Sequence, residues 1–194
     1  MMPMPSGLFI AGTSHVGKSS LAARLGGSLG WTVISTDDLG RHPGRPWPEV
    51  KPQVAEFYTG LSPETAHWFL KVHHENMWPR LLQAIEWQET LEEPFIMEGA
   101  ALRPDYLSTL DLARYRIVFL QAPDAVLRQR VEAASDYDHA TAERKHLIDR
   151  FIERSILDNH ALSAGFDALG VTATDADAST IDALAADITA LLRQ

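Results

Sequence analysis

The sequence predicts a three-layer α/β/α domain built on a parallel sheet of five strands, and three observations lead there. Short apolar runs alternate with longer helical patterns, as a series of βαβ units requires. Those runs are continuous rather than alternating apolar with polar residues, so the strands are expected to be covered on both faces. A length of 194 residues suits one domain, which buries roughly 70% of its unfolded surface without a metal or disulfide staple.

Strands are expected at residues 8–11, 31–35, 95–97, 116–120 and 170–173. A helix is expected over residues 18–29, with Leu21, Ala22, Leu25 and Leu29 at helical spacing. The last helix reads as capped by Ser179, with Asp182 three residues on and Ile181, Leu184, Ile188 and Leu191 as its apolar stripe over the sheet. Residues 37–93 are far more than one crossover helix needs and read as an insertion that binds substrate. The insertion opens with a Pro- and Gly-rich loop at 41–48, which excludes regular helix or central strand. Ser62-Pro63-Glu64 then starts a long helix toward Trp87, which Pro79 should kink or divide. Residues 128–160 read as a lid region, so the expectation is a single domain over 1–194 with one insertion and one lid.

Composition removes several classes of function. Hydrophobic residues at 45% and charged residues at 22% exclude disorder and fibrous structure. Seventeen Lys and Arg against 26 Asp and Glu, a net charge of −9, argue against a protein that coats nucleic acid or lies on a membrane. The absence of Cys removes disulfides, cysteine nucleophiles and thiolate metal sites. No run approaches the roughly 18 apolar residues of a spanning helix. The expectation is a cytoplasmic monomer or homodimer with neither nucleic acid nor membrane as partner.

The chemistry begins directly after the first strand. Gly12-Thr13-Ser14-His15-Val16-Gly17-Lys18-Ser19 matches G-x-x-x-x-G-K-[ST], with a strand before it and a helix after it. Gly12 and Gly17 permit a backbone that turns successive amides around phosphate oxygens, and the helix N-terminus adds its partial positive charge. Lys18 would reach the β- and γ-phosphates, and the Ser19 hydroxyl would bind Mg²⁺, with Ser20 beside them. His15 supplies its backbone amide to this cradle, and its imidazole reads as an exposed spectator. A Ras-type GTPase is excluded because neither asparagine, Asn76 or Asn159, lies in an Asn-Lys-x-Asp guanine reader. An oligomeric motor ATPase would place Asp-Glu after the third strand, where this chain has Glu98-Gly99.

Two further motifs carry a resemblance. Ile34-Ser35-Thr36-Asp37-Asp38 resembles the I-S-x-D-D of uridine kinases, nicotinamide riboside kinases and phosphoribulokinases, and Ile96-Met97-Glu98-Gly99 is similar to their E-G. The combination also resembles 2-phosphoglycerate kinase-like proteins and, more loosely, zeta-type toxin kinases and chloramphenicol phosphotransferase. The likeness covers roughly residues 7–39, 94–131 and the lid, and it implies a P-loop small-molecule kinase with strand order 2-3-1-4-5, using ATP and Mg²⁺ on a hydroxyl of a small metabolite. It implies Asp37 as the base or hydroxyl-orienting residue and a second contact to metal, Asp38 as helper, and Glu98 as a residue that holds metal or grips a substrate hydroxyl. A carboxylate beside the γ-phosphate suits that task, since phosphoryl transfer asks for little beyond placement and charge neutralisation. Pro123-Asp124 through Arg130 is similar to the segment that opens the lid in such kinases, which implies Arg130, or else Arg128, at adenine or phosphate. Arg150 and Arg154, four apart on one helix face, are the preferred lid arginines for the moving phosphoryl group, with Arg144 nearby. Asp175 falls where the adenine loop is expected.

The acceptor is expected to meet Arg41, His42 and Arg45, just past Asp37, and Arg103 with Tyr106, just past Glu98. A phosphate- or carboxylate-bearing acceptor would suit them. His67, Lys71, His74 and Trp78 recur on one side of the insertion helix, a face suited to grip an anionic or polyhydroxylated acceptor with His74 as the substrate-binding candidate, beside a mostly apolar stripe of Leu70, His73, Met77 and Leu81. Their spacing does not suit zinc. Two rivals share parts of the reading: a toxin-like kinase acting on a nucleotide sugar, and a non-catalytic ATP-binding switch.

Overall fold

The structure, a computed structural model, describes residues 5–41 and 44–192. In chain order its main elements are β1 (Gly7–Ala11), α1 (Lys18–Leu29), β2 (Thr32–Ser35), α2 (Thr36–Leu39), α3 (Pro52–Gly60), α4 (Pro63–Thr90), β3 (Phe95–Gly99), α5 (Pro104–Leu107), β4 (Tyr115–Gln121), α6 (Asp124–Ser135), α7 (Ala142–Ala168), β5 (Ala173–Asp175) and α8 (Ile181–Leu192). Every strand pair is parallel, in the order β2-β3-β1-β4-β5.

β1 holds the middle because all five of its residues are buried. Side chains alternate along a strand, so Leu8 and Ile10 join the core made with α1 and α8, while Phe9 and Ala11 join the core made with α4, α5 and α7. On that second face Phe119 stacks on Phe166 with ring centroids 4.7 Å apart. A third cluster, Trp47, Val54, Tyr58, Val131, Leu147, Ile148, Phe151 and Ile152, ties α3 to α6 and α7 beyond the C-terminal edge of the sheet.

The fifth strand starts three residues later than the sequence suggests. Gly170 donates to the Asp167 carbonyl at 2.9 Å and Val171 to the Phe166 carbonyl at 2.9 Å, the paired bonds of a Schellman cap. Residues 170 and 171 therefore close α7 rather than begin β5. The cap of α8 is likewise Thr180, whose hydroxyl accepts from the Ala183 amide at 3.2 Å, and not Ser179. Its buried face is Ala185, Ile188 and Leu192, leaving Ile181 and Leu191 exposed.

α4 starts as its signal predicts, with Ser62 accepting from the Thr65 amide at 3.2 Å and Pro63 at the first position. It then continues through Pro79 as one 28-residue helix instead of dividing. Pro79 has no amide to offer the Glu75 carbonyl, but both residues are exposed, so water replaces that bond. Residues 128–160 span the end of α6, a short turn and most of α7, whose Leu147, Ile148, Phe151, Ile152, Ser155, Asp158 and Asn159 are buried. Among the described residues, no helix is long and apolar enough to cross a membrane.

Candidate functional site

Residues 12–19 leave β1 and enter α1 by a path that only a small residue permits at its start. Gly12 has φ 149°, and a Cβ there would lie 2.6 Å from the Leu120 carbonyl oxygen and 2.8 Å from Val16 Cγ1. His15 (φ 63°) and Gly17 (φ 109°) are left-handed as well, which turns the loop around its own concavity. Thr13 is fully buried and donates its hydroxyl to the Ser155 carbonyl at 3.1 Å, tying the loop to α7. Lys18 Nζ curls back to donate to the Thr13 carbonyl at 2.7 Å. Burial pulls the Lys18 ammonium below the ordinary lysine range, against the carboxylates of Glu98, Asp37 and Asp158.

Sheet register brings the acidic residues to this loop. β2 lies beside β3 with Ser35 opposite Glu98. Glu98 Oε1 accepts from Ser35 Oγ at 2.7 Å and from Ser19 Oγ at 3.1 Å, while the residue is only 4% exposed. Ser35 also caps α2, taking the Asp37 amide at 3.4 Å. One serine thus orients Glu98 and begins the helix that carries Asp37. Ser35 lies inside the I-S-x-D-D motif, where nothing in the pattern assigns it a role.

These groups open on a cavity of about 890 Å³. Its phosphate-loop wall is Ser14, His15, Gly17, Lys18, Ser19 and Ser20, with Asp37 and Glu98 beside it. Arg41, Arg45 and Arg154 also line it, as do His73 and His74 of α4. The remaining wall, unforeseen in the sequence, is Phe57, Tyr58, Ala66, Phe69, Leu70 and Phe151, with Ala100 near Glu98.

Several expected site residues sit elsewhere or act differently. His42 lies outside the described residues. Asp38 is exposed and off the cavity wall. Arg103 is buried and gives its guanidinium to Asp158 at 2.8 Å, which takes it out of the cavity lining. Tyr106 stacks on Trp78 with ring centroids 5.5 Å apart. Arg150 pairs with Glu153 at 3.1 Å along its own helix and is not in the lining, while Arg154 is. Arg128 is held by Asp149 at 3.0 Å and Glu132 at 3.3 Å, and Arg144 donates to the Pro48 carbonyl. Arg130 donates to the Val16 carbonyl at 3.0 Å and the Ala176 carbonyl at 2.9 Å, joining the phosphate loop to the segment after β5. Asp175 accepts from the Asp177 amide at 2.8 Å within that segment.

His15 is not an exposed spectator. Its ring packs against Trp47 (5.6 Å) and edge-on to Phe151 (5.9 Å), and burial together with Arg45, Lys18 and Arg154 lowers its pKa to about 4. The row His67, Lys71, His74, Trp78 also divides. His74 is 1% exposed and shares the buried face with Met77 and Leu81, whereas Lys71 is exposed. Burial drives the His74 pKa down to about 3, although Asp158 opposes it. His67 donates to Asp158 Oδ1 at 3.2 Å. Burial alone would raise the Asp158 carboxyl, but the bonds from His67 and Arg103 and the Arg103 charge hold it well below the ordinary range.

No protein-family model matches the chain, and no curated protein matches it in sequence. Solved structures do match in shape over nearly the whole length. A shikimate kinase from Bacteroides thetaiotaomicron superposes with a TM-score of 0.57 at 16% identity, covering 97% of this chain and 98% of that one. A deoxyadenosine kinase from M. mycoides with bound dATP gives 0.56 at 16% identity, over 96% and 99%. A gluconokinase from Sinorhizobium meliloti 1021 gives 0.52 at 19% identity, over 98% and 93%. Sheet order, loop and helical layers agree with these comparisons: the chain has the three-layer α/β/α fold of the P-loop small-molecule kinases.

Proposed function

We propose that the protein is a kinase that uses ATP and Mg²⁺ to transfer the γ-phosphoryl group to a hydroxyl of a small metabolite. The observation that carries this reading is the convergence of Lys18, Ser19, Asp37, Glu98 and Arg154 on one cavity beside the phosphate loop. Lys18 exchanges its bond to the Thr13 carbonyl for a charge-assisted bond to phosphate. Asp37 accepts or orients the proton of the attacking hydroxyl. Arg154 is 5% exposed, its guanidinium lies 4.5 Å from the Phe151 ring centroid, and no described carboxylate pairs with it. A buried cation in that state is costly until an anion meets it, and a transferring phosphoryl group is such an anion. The bridge that Arg130 makes between the loop and the segment after β5 frames the slot for the base. On this reading residues 37–93 bind the acceptor and residues 128–160 supply the lid-side arginine.

The residues present fit magnesium. That cation takes one or two protein oxygens and completes its shell with phosphates and water. Ser19 Oγ and the Glu98 carboxylate provide those oxygens, with Asp37 close by on the wall. Among the described residues no cluster of three or more acidic or His side chains could cage a metal, so the ion is expected to arrive with the nucleotide. When bound it neutralises charge on the β- and γ-phosphates.

The test is a screen of polar metabolites with Mg-ATP for a mass gain of one phosphate. Lys18→Ala is expected to lose transfer and nucleotide binding. Asp37→Asn is expected to keep binding of a non-hydrolysable ATP analogue while turnover falls about 100-fold or more. Equal ATP consumption by Asp37→Asn and wild type would remove Asp37 from the mechanism. Nucleotide binding without transfer to any acceptor would instead support the switch.

A further inference from the structure

The cavity is two sites of opposite character. Three of its cationic groups, Lys18, Arg45 and Arg154, gather at the phosphate loop, where all three act on the His15 ring. The other wall is an unbroken run of aromatic contacts that begins at Phe151, itself 5.9 Å from the His15 ring. Phe151 lies 6.0 Å from Tyr58, Tyr58 5.1 Å from Phe57, and Phe57 6.1 Å from Phe69, ring centroid to centroid. Ala66 and Leu70 of α4 complete that wall. Phe69 is 45% exposed, an apolar surface that the fold itself leaves uncovered beside the cavity. His73 and His74 of α4 also line the cavity; His74 is 1% exposed, and its Nδ1 meets no hydrogen-bond partner among the described residues.

Open-chain polyols do not suit such a surface. Each hydroxyl turned against Phe57, Phe69 or Leu70 loses its water partners and gains none. A flat or cyclic apolar body loses nothing there and removes aromatic surface from water. The His74 imidazole, uncharged because of its burial, leaves its Nδ1 without a partner among the described residues, which matches a single uncharged polar substituent rather than an anion. We propose that the acceptor is an alcohol borne on an apolar ring, aromatic or alicyclic, whose one further neutral polar group is read by His74. The identification of this ligand as the phosphoryl acceptor rests on the kinase reading above, but its binding does not.

The experiment is ligand-observed NMR titration of the full chain, with and without a non-hydrolysable Mg-ATP analogue. The probes are 2-phenylethanol, its three ring-hydroxylated isomers, cyclohexylmethanol, D-glucitol and D-gluconate. Ring alcohols are expected to bind at least tenfold more tightly than glucitol or gluconate, and one hydroxylated isomer more tightly than 2-phenylethanol. Ala66→Leu fills the apolar wall and should weaken every ring alcohol about tenfold. His74→Leu should abolish the preference among the isomers while 2-phenylethanol still binds, a comparison internal to each protein and so independent of modest losses in stability. Polyol binding equal to or tighter than ring-alcohol binding, or no binding of ring alcohols, overturns the proposal. An isomer preference that survives His74→Leu overturns the role of His74. Ring alcohols that bind without ever being phosphorylated leave this site in place and sink the kinase reading instead.

Discussion

Acidification offers a quantitative check on the burial of His74. The folded protein holds this imidazole near a pKa of about 3, against 6.5 for an ordinary histidine. The unfolded chain therefore binds the extra proton first as pH drops below 6.5, and stability falls until pH approaches the folded value. With those two values, one site costs about 0.2 kcal/mol at pH 7 and about 2 kcal/mol at pH 5. His15, lowered to about 4, acts in the same direction. Asp158, held low by its partners, contributes stability above the ordinary Asp range and loses it only as pH falls below about 4, so it stays silent between pH 7 and 5. The assay is urea unfolding at both pH values for wild type and His74→Phe. Wild type is expected to lose about 2 kcal/mol more than the variant between pH 7 and 5. Any constant cost of the substitution cancels in that difference. Equal losses in the two proteins would mean that His74 is hydrated and titrates normally, and the neutral imidazole used above would be wrong.

Three substitutions test the site itself. Arg154→Met should raise the urea-unfolding stability of the ligand-free protein by about 1–3 kcal/mol, because it removes a buried unpaired charge; it should also cut phosphoryl transfer at least about 100-fold. A loss of both stability and activity would mean that the guanidinium is already satisfied. Ser35→Ala removes the cap of α2 and a bond to Glu98 (2.7 Å); thermal unfolding should report a loss of about 1–2 kcal/mol, and the Mg²⁺ requirement for transfer should rise. Gly12→Ala forces a Cβ to within 2.6 Å of the Leu120 carbonyl; calorimetry should show a destabilisation of about 2–4 kcal/mol and titration no binding of an ATP analogue.

Local signals were readable in the sequence and distributed ones were not. The phosphate loop and α1 follow from a contiguous motif and the strands from runs of buried apolar residues, while the strand order, which the resemblance implied, is the one observed. β5 slipped because Gly170-Val171 serves a helix cap, whose hydrogen bonds no periodicity reveals. His74 looked like a member of a polar row because α4 is long and serves several neighbours in turn: α3, α7 and the sheet core. A helix that changes partners along its length changes its buried face, so one stripe extrapolated over 28 residues fails. The aromatic wall was invisible for a related reason. Phe57, Ala66 and Phe69 come from two helices, and Phe151 from a third about 80 residues later. No local pattern marks residues that meet only across a void.

The four residues that follow Phe151 by one and two turns, Arg154, Ser155, Asp158 and Asn159, bear on how Arg154 is held. Ser155 receives the Thr13 hydroxyl, Asn159 donates to the Ala122 carbonyl at 3.0 Å, and Asp158 is clamped by His67 and Arg103. Through these bonds α7 is fastened at once to the phosphate loop, the end of β4, α4 and α5. Arg154 stands in the middle of that segment, so swinging it into place would break several buried polar contacts, each expensive to leave unmade. On the proposed kinase reading, an arginine fixed this way is set before the nucleotide arrives and needs no reorganisation when charge develops on the phosphoryl group.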